Sequence, residues 1–217
     1  MTGSLEAVAG RVAAVLLEIG AVGFTPDAPV TFRSGLRSPV YIDNRRLPFW
    51  PAAWATVIDG FRQMIRARSV AFDVIAGIEA AGIPHSAALG YVLQTPSVFV
   101  RKQPKAHGTR SRIEGGEVAG RRVLLVEDLV TTGGSSLSGV TALREAGAAV
   151  EDCACITSYG FREAAEAFAA AGVRLHVLAP FDAVVAEAAR RGQFDARALA
   201  IVQDWARDPH GWAERYR

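Results

Sequence analysis

Hydrophobic and polar positions follow two alternating patterns over most of this chain. Short continuous apolar runs, rich in β-branched residues, are typical of strands that are covered on both faces in a parallel sheet. Longer stretches with apolar residues three and four positions apart are typical of helices. The short runs predict strands over Phe72–Gly77, Ser97–Arg101, Val123–Val126, Val150–Thr157 and Val173–Leu178.

Helical spacing surrounds and separates these runs. It predicts helices over Leu5–Ile19, Trp50–Arg66, Ile83–Leu93, Gly134–Glu145, Glu163–Ala171, Asp182–Arg190 and Ala196–Trp205. Alternating strands and helices indicate an α/β fold, a central parallel sheet with helices on both faces. Val30–Arg33 and Val40–Asp43 predict a hairpin-like pair of short strands outside this alternation.

Length and composition narrow the class of protein. The 217 residues suffice for one substantial core, half are hydrophobic, and the net charge is +2. This composition argues against disorder and against a surface that coats nucleic acid. There is no apolar run of the roughly 18 residues that a membrane span requires, and the N-terminus has no export pattern. We therefore expect a cytoplasmic protein without a nucleic-acid or membrane partner.

The two cysteines lie in one predicted strand. Cys153 and Cys155 are two positions apart, so both side chains face the same side of the sheet. This spacing disfavours a disulfide, and a zinc site lacks further ligands, so we expect small buried side chains in a reducing compartment.

The most informative segment is Val123–Ser136, with the sequence VLLVEDLVTTGGSS. Ligands of open α/β sheets bind at the carboxyl ends of the strands. Gly133 and Gly134 allow a tight turn and close approach, and hydroxyls surround the start of the following helix, where a phosphate is favoured. These hydroxyls belong to Thr131, Thr132 and Ser135.

Two carboxylates come directly before this turn. Glu127 and Asp128 would repel a phosphate, but they can accept hydrogen bonds from vicinal sugar hydroxyls. An ordinary helix cap would explain the threonines and glycines but not this pair. Because both the GxxxxGK[ST] and GxGxxG spacings are missing, the segment predicts a sugar-phosphate site rather than a Walker or dinucleotide loop.

Two further segments suit a diphosphate. Glu79-Ala80-Ala81-Gly82 joins a predicted strand to a helix with small residues, although an ordinary turn explains it equally well. The loop RKQPKAHGTRSRIEGG is long, polar and basic, which favours a mobile lid over an anionic substrate; the alternative is a solvated loop that contacts RNA. Its basic residues are Arg101, Lys102, Lys105, His107, Arg110 and Arg112.

The segment Val123–Ser136, which we call the signature, resembles the phosphoribosyl pyrophosphate (PRPP) motif of the type I phosphoribosyltransferases. Three segments narrow the resemblance to the orotate phosphoribosyltransferase family: RSGLRSPVYID, which is similar to SGxxSPxY; the loop Arg101-Lys102-x-x-Lys105-x-His107-Gly108; and Glu127–Ser135. The resemblance implies a type I fold with an N-terminal hood and a mobile catalytic loop. It also implies transfer of phosphoribosyl from PRPP to N1 of orotate with Mg²⁺, which is held mainly through PRPP and water.

The resemblance also implies the roles of individual residues. Lys105, Asp128 and His107 are the candidate catalytic residues. Pyrophosphate would contact Arg101, Lys102, Lys105 and His107 and the turn Glu79, Ala80, Ala81 and Gly82, while the rest of PRPP would contact Glu127, Asp128, Leu129, Val130, Thr131, Thr132, Gly133, Gly134 and Ser135. Orotate would contact Thr131, Arg33, Ser34, Gly35, Tyr41 and Arg162, with Ser38 as a further donor.

The chemistry of the implied reaction gives reasons for these roles. Displacement at the anomeric carbon makes the sugar positive and the pyrophosphate negative, so cations on the leaving group lower the barrier. We expect Lys105 to be the main cation and Glu127 and Asp128 to stabilise the sugar. His107 is equally suited to act as an acid or to form structural hydrogen bonds.

Two residues depart from the family pattern. Arg33 stands where many relatives have lysine, so the charge is kept while its geometry changes. Many relatives place an orotate-contacting arginine directly after the strand that ends here at Thr157, whereas this chain reads Ser158-Tyr159-Gly160-Phe161-Arg162. Arg162 is therefore out of register.

We expect one domain over residues 1–217, with a core at about 50–180 and a hood formed by about 1–48 together with the C-terminal helices. The resemblance implies a homodimer in which loop residues complete the partner's site. Three alternatives remain: a phosphoribosyltransferase for another base, a regulator that senses PRPP and contacts RNA, and a nucleotide-binding domain of another purpose. The RNA contact would use Arg110, Arg112, Arg121 and Arg122.

Overall fold

The computed structural model describes residues 4–32, 35–103 and 111–215. Its strands are β1 (Val22–Phe24), β2 (Val30–Thr31), β3 (Arg37–Ser38), β4 (Val40–Ile42), β5 (Val74–Ile78), β6 (Ser97–Val100), β7 (Ile113–Glu114), β8 (Arg122–Val130), β9 (Ala149–Ser158) and β10 (Arg174–Pro180). Its helices are α1 (Leu5–Glu18), α2 (Pro51–Ala67), α3 (Gly82–Leu93), α4 (Gly134–Glu145), α5 (Arg162–Ala170), α6 (Phe181–Arg190), α7 (Ala196–Arg207) and α8 (Pro209–Arg215), with a 3-10 helix over Asn44–Phe49.

The central sheet has the strand order β10-β9-β8-β5-β6-β7. All neighbours in it are parallel except β7, which runs antiparallel to β6 along the edge. The signature strand β8 lies between β5 and β9. This arrangement confirms the predicted α/β fold, while β7 was missed because it has only two residues inside a polar loop.

Apolar side chains cover both faces of the sheet. The face that carries Cys153 and Cys155 packs against α4 and α5, and the opposite face packs against α1, α2 and α6. Both cysteines are free and buried, and burial raises the pKa of each thiol. The prediction that they are small buried side chains without a disulfide is confirmed.

The predicted hairpin was wrong. Residues Val30–Thr31 pair with Arg37–Ser38, and Val40–Ile42 pairs instead with Val22–Phe24. Gly35, with φ +86°, lies in the short turn that brings β2 back against β3. The short strand β1 gives no periodic signal, so the pairing of β4 with β1 could not be predicted from the sequence.

The sequence pattern predicted no helix after Trp205, so the last helix was missed. Residues 209–215 form α8, and Trp212 is fully buried. In α7, Trp205 is fully buried among aromatic rings and donates its indole N–H to the Arg37 carbonyl at 2.9 Å. The C-terminal helices therefore fix the position of the small β2–β3 sheet.

Among the residues described, none of the helices combines the length and apolar character that a membrane crossing requires.

Candidate active site

The signature strand is longer than the sequence predicted. Hydrophobicity placed its end at Val126, yet β8 continues to Val130, paired with β9 as far as Ser158. Glu127 and Asp128 are therefore strand residues held by a neighbouring strand. Ladder hydrogen bonds fix their backbone more firmly than a loop would.

A turn after β8 leads directly into α4. Gly133 adopts φ +85° at the start of the helix, and a Cβ there would lie 2.9 Å from Cε2 of Phe168, so glycine is needed for both conformation and space. The first N–H groups of a helix lack intrahelical partners and favour an anion. The predicted phosphate cradle is thus a helix N-terminus.

We call the cavity over this helix N-terminus the central pocket. It measures about 520 Å³. Its walls come from the end of β8 and the start of α4, from the ends of β5 and β6, and from residues of the segment between β6 and β7: Ile78, Val100, Arg101, Lys102, Arg112, Leu129, Val130, Thr131, Thr132, Gly133, Gly134, Ser135, Ser136 and Ser138. The structure therefore brings Arg101 and Lys102 together with Leu129–Ser135 around one cavity.

Glu127 is buried beside the pocket. Its side chain accepts hydrogen bonds from the Asp128 N–H at 3.2 Å and from the Ser136 hydroxyl at 3.5 Å. Burial, followed by the negative charge of Asp128, raises the pKa of Glu127 well above its ordinary 4.5, and burial also raises the pKa of Asp128. The pair therefore resists carrying two negative charges until polar ligand groups or cations approach it.

This raised pKa predicts a pH-dependent stability. Because the pKa of Glu127 is higher in the native than in the unfolded chain, the unfolded chain releases this proton at a lower pH, above about 4.5. The contribution of Glu127 to folding stability is therefore full below that pH and is lost as the pH rises through the raised native pKa. Glu127→Gln should raise the free energy of unfolding by about 1–3 kcal/mol at pH 8 and leave it nearly unchanged at about pH 4. Urea denaturation at both pH values measures this.

The exposed residue Glu117 offers a matched control. Glu117→Gln should change stability little at either pH. Equal effects of Glu127→Gln at the two pH values would contradict the assignment.

The predicted diphosphate turn lies next to the loop after β6. The Glu79 carboxylate accepts a hydrogen bond from the Lys102 backbone N–H at 2.8 Å, and the peptide between Glu79 and Ala80 is cis. A Cβ on Gly82 would lie 2.5 Å from the Val126 carbonyl oxygen, so glycine lets α3 start directly against β8. Glu79–Gly82 and Lys102 are thus neighbours of the signature strand.

The predicted orotate residues are only partly assembled. Gly35 is exposed in its turn, and Tyr41 is 41% exposed with its hydroxyl accepting a hydrogen bond from Arg45 at 2.8 Å. Ser38 is fully buried and donates to the Val40 carbonyl at 2.7 Å, so its hydroxyl maintains the local chain path. Arg33, Ser34, Lys105 and His107 lie outside the described residues.

Arg162 lies away from the central pocket walls. It is the first residue of α5, its side chain is 91% exposed, and it pairs with Glu166 at 3.6 Å on the same helix. It lines a separate cavity together with Pro209 and His210 of α8. The structure does not bring Arg162 together with Thr131 around one cavity.

Sequence reasoning missed Asn44. This fully buried side chain donates from Nδ2 to the Asp128 carbonyl at 2.7 Å and to the Thr157 hydroxyl at 2.8 Å. It therefore ties the 3-10 helix to the adjacent strands β8 and β9. A polar residue in a short irregular segment gives no periodic signal, so only the fold identifies its role.

Asn44→Ala should lower the free energy of unfolding by about 1–3 kcal/mol, because buried polar groups on β8 and β9 lose their donor. Urea denaturation measures the loss. Asn44→Ala combined with Thr157→Val should cost less than the sum of the two single changes, since the variants remove a shared interaction. Strictly additive effects would argue against this bridge.

Comparisons with known proteins agree on one family. The phosphoribosyl transferase domain family matches residues 50–173. The orotate phosphoribosyltransferase of Bacillus caldolyticus is 41% identical over 93% of this chain and 97% of its own length, and that of Cereibacter sphaeroides (strain KD131) is 46% identical over 96% and 91%. The crystal structure of orotate phosphoribosyltransferase from Aeropyrum pernix superimposes with a TM-score of 0.73 at 31% identity, covering 85% of this chain and 99% of that one.

Proposed function

This chain belongs to the orotate phosphoribosyltransferase family, and on that premise we propose that it transfers phosphoribosyl from PRPP to N1 of orotate. The products are orotidine 5′-monophosphate and pyrophosphate, a step in the synthesis of UMP. One observation carries the proposal: the carboxylate pair on β8 runs directly into a helix N-terminus whose pocket also receives Arg101 and Lys102. Groups suited to bind ribose, phosphate and pyrophosphate therefore lie next to one another.

The proposed roles follow the charges of the substrate. The N-terminus of α4, with Thr131–Ser135, holds the 5′-phosphate. Glu127 and Asp128 accept hydrogen bonds from the ribose hydroxyls, and Arg101 and Lys102 contact the pyrophosphate beside Glu79–Gly82. The loop motif of the family suggests that Lys105 and His107 also contact the pyrophosphate.

We propose that Mg²⁺ binds mainly through oxygens of PRPP and water. The Glu127 and Asp128 carboxylates beside the phosphate cradle are hard oxygen groups of the kind that suit this ion. When bound, the ion would neutralise charge on the pyrophosphate. The two carboxylates hold the sugar hydroxyls.

Asp128→Asn should lower kcat/KM for PRPP by about 10–100-fold, because a charged acceptor of a ribose hydroxyl becomes neutral. Initial rates over a range of PRPP concentrations measure the change. Asp182→Asn, on the first turn of α6, replaces an acidic residue outside the central pocket and should behave like the parent. Unchanged kinetics of Asp128→Asn would remove this carboxylate from the proposed mechanism.

A direct assay tests the function: the purified protein is mixed with PRPP, Mg²⁺ and orotate, and the loss of orotate absorbance is monitored. Parallel reactions contain uracil, adenine, guanine or hypoxanthine. Magnesium-dependent use of orotate alone supports the proposal, and use of another base redirects it. No turnover despite PRPP binding favours a regulator.

A regulator that contacts RNA is disfavoured by two arginines of the basic cluster. Arg122 pairs with Asp73 at 2.7 Å, and Arg112 donates to the Arg101 carbonyl at 2.8 Å and to Ser138 at 3.1 Å. Arg110 lies outside the described residues. These internal contacts compete with phosphate binding.

We also propose that the protein is a cytoplasmic homodimer. Large apolar side chains are exposed on neighbouring elements: Phe49 at 81%, Trp50 at 44% and Tyr91 at 79%. Trp54 of α2 donates to Nδ1 of His85 of α3 at 3.0 Å. This hydrogen bond joins α2, which begins directly after Trp50, to α3, which carries Tyr91. Such surfaces favour protein contact. Sedimentation equilibrium distinguishes a dimer from a monomer, and Tyr91→Lys should weaken the dimer.

A further inference from the structure

We propose that Arg45, rather than Arg162, supplies the cation that recognises the carboxylate of the pyrimidine substrate. This inference rests on the proposed function and assigns a specificity residue to the same site. Orotate differs from uracil by one carboxylate, so its selection requires a group that binds this anion. Arginine matches a carboxylate well because its planar guanidinium can donate two parallel hydrogen bonds.

Arg45 is held in place but remains accessible. Its Nε donates to Asp43 Oδ1 at 2.5 Å, and its Nη2 donates to the Tyr41 hydroxyl at 2.8 Å. Among the described residues Nη1 has no hydrogen-bond partner, and 61% of the side chain is exposed. The guanidinium is therefore oriented by two neighbours and keeps donors for a ligand.

The surroundings of Arg45 place it near the sugar end of the site. The adjacent Asn44 binds the Asp128 carbonyl, so the 3-10 helix lies against the strand that carries the carboxylate pair. The charges of Arg45 and Asp128 act on each other: the pKa of Arg45 is raised, chiefly by its hydrogen bond to Asp43, with a smaller contribution from Asp128. Arg45 is thus permanently charged and within electrostatic range of the proposed ribose acceptors.

The order of groups in the substrate points the same way. The base joins the sugar at the anomeric carbon, next to a ribose hydroxyl that the carboxylate pair would hold. Arg101 and Lys102 line the central pocket, where the pyrophosphate needs them. Arg45 instead donates to the hydroxyl of Tyr41, a residue that orotate is expected to contact, so its cation is available to the base.

A comparison of two nucleotides tests the inference directly. Orotidine 5′-monophosphate and UMP differ only in the carboxylate, so the ratio of their dissociation constants isolates its recognition. Arg45→Gln should weaken binding of orotidine 5′-monophosphate by about 10–100-fold and leave UMP binding nearly unchanged. Arg45→Lys should lie between the parent and Arg45→Gln, because it keeps the charge and loses the planar fork. Isothermal titration calorimetry gives these constants.

Arg46 is the matched control. It is the next residue on the same 3-10 helix, and its guanidinium donates to the Gly20 carbonyl at 2.5 Å. Arg46→Gln should preserve the preference of the parent for orotidine 5′-monophosphate. Urea denaturation identifies a variant that has lost its structure.

Steady-state kinetics separate the possible failures. The inference is supported if Arg45→Gln raises KM for orotate and leaves KM for PRPP unchanged. If the parent converts orotate and folded Arg45→Gln keeps the full nucleotide preference, or loses affinity for both nucleotides equally, this inference is overturned while the proposed function stands. If the parent does not convert orotate at all, the proposed function itself is overturned, and this inference with it.

Discussion

Replacing Lys105 with alanine is expected to lower kcat by about 10²–10³-fold, the range found when one preorganised charge-stabilising donor is removed. Negative charge develops on the departing pyrophosphate in the transition state. A lysine ammonium placed there stabilises the transition state more than the ground state, so its removal acts on kcat. Single-turnover rates with saturating PRPP and orotate measure the chemical step.

The polar composition of the Lys105 loop predicts little packing against the core, so Lys105→Ala should keep the parent's unfolding midpoint. Arg121→Ala is a matched control, since Arg121 is an exposed cation that does not line the central pocket. It should retain parental kcat. Near-normal turnover by Lys105→Ala would show that another group stabilises the pyrophosphate.

Trp205→Ala is expected to cost about 3–5 kcal/mol of folding free energy, the usual loss for a fully buried tryptophan. The ring centroid of Trp205 lies 5.3 Å from that of Tyr159 and 5.6 Å from those of Phe161 and Phe181. Truncation would leave a cavity among these rings and remove the donor to the Arg37 carbonyl. Urea denaturation followed by circular dichroism measures the loss.

The same change should also weaken orotate use, because the Arg37 carbonyl belongs to the small sheet beside the proposed base site. Trp205→Phe is an informative comparison: it keeps much of the packing, and loss of the indole donor should cost about 1–3 kcal/mol. If Trp205→Ala lost less than about 1 kcal/mol, the aromatic cluster would not be a main support of the fold.

Most of the central sheet could be predicted from the sequence. Its strands are apolar runs covered on both faces, and its helices have apolar stripes, so each element carries its signal within a few neighbouring residues. The turn and helix start that we propose as the phosphate site could be predicted for the same reason. The end of β8, the glycine turn and the start of α4 follow one another without interruption, so their chemistry is local.

The orotate side of the site could not be predicted in the same way. Tyr41 lies on the short strand β4, whose partner was misread, and Arg162 belongs to another cavity. Short strands have too few positions to show a period, so their pairing depends on which segments meet in space. Arg45 resembled any exposed arginine in a polar stretch until its neighbours were known.

The sequence by itself therefore determined the α/β class, the family resemblance and the glycine turn at the start of α4, where we propose that the phosphate binds. Only the tertiary structure decided which distant groups meet. Asn44 reaches Asp128 across 84 positions and Thr157 across 113, which supports the strand of the carboxylate pair, and Trp205 reaches Arg37 across 168, which supports the small β2–β3 sheet. Periodicity reports which face of an element is buried, but not which distant polar group lies opposite it. Such contacts form only when the whole chain has packed, because a buried donor must find its acceptor wherever the fold provides one.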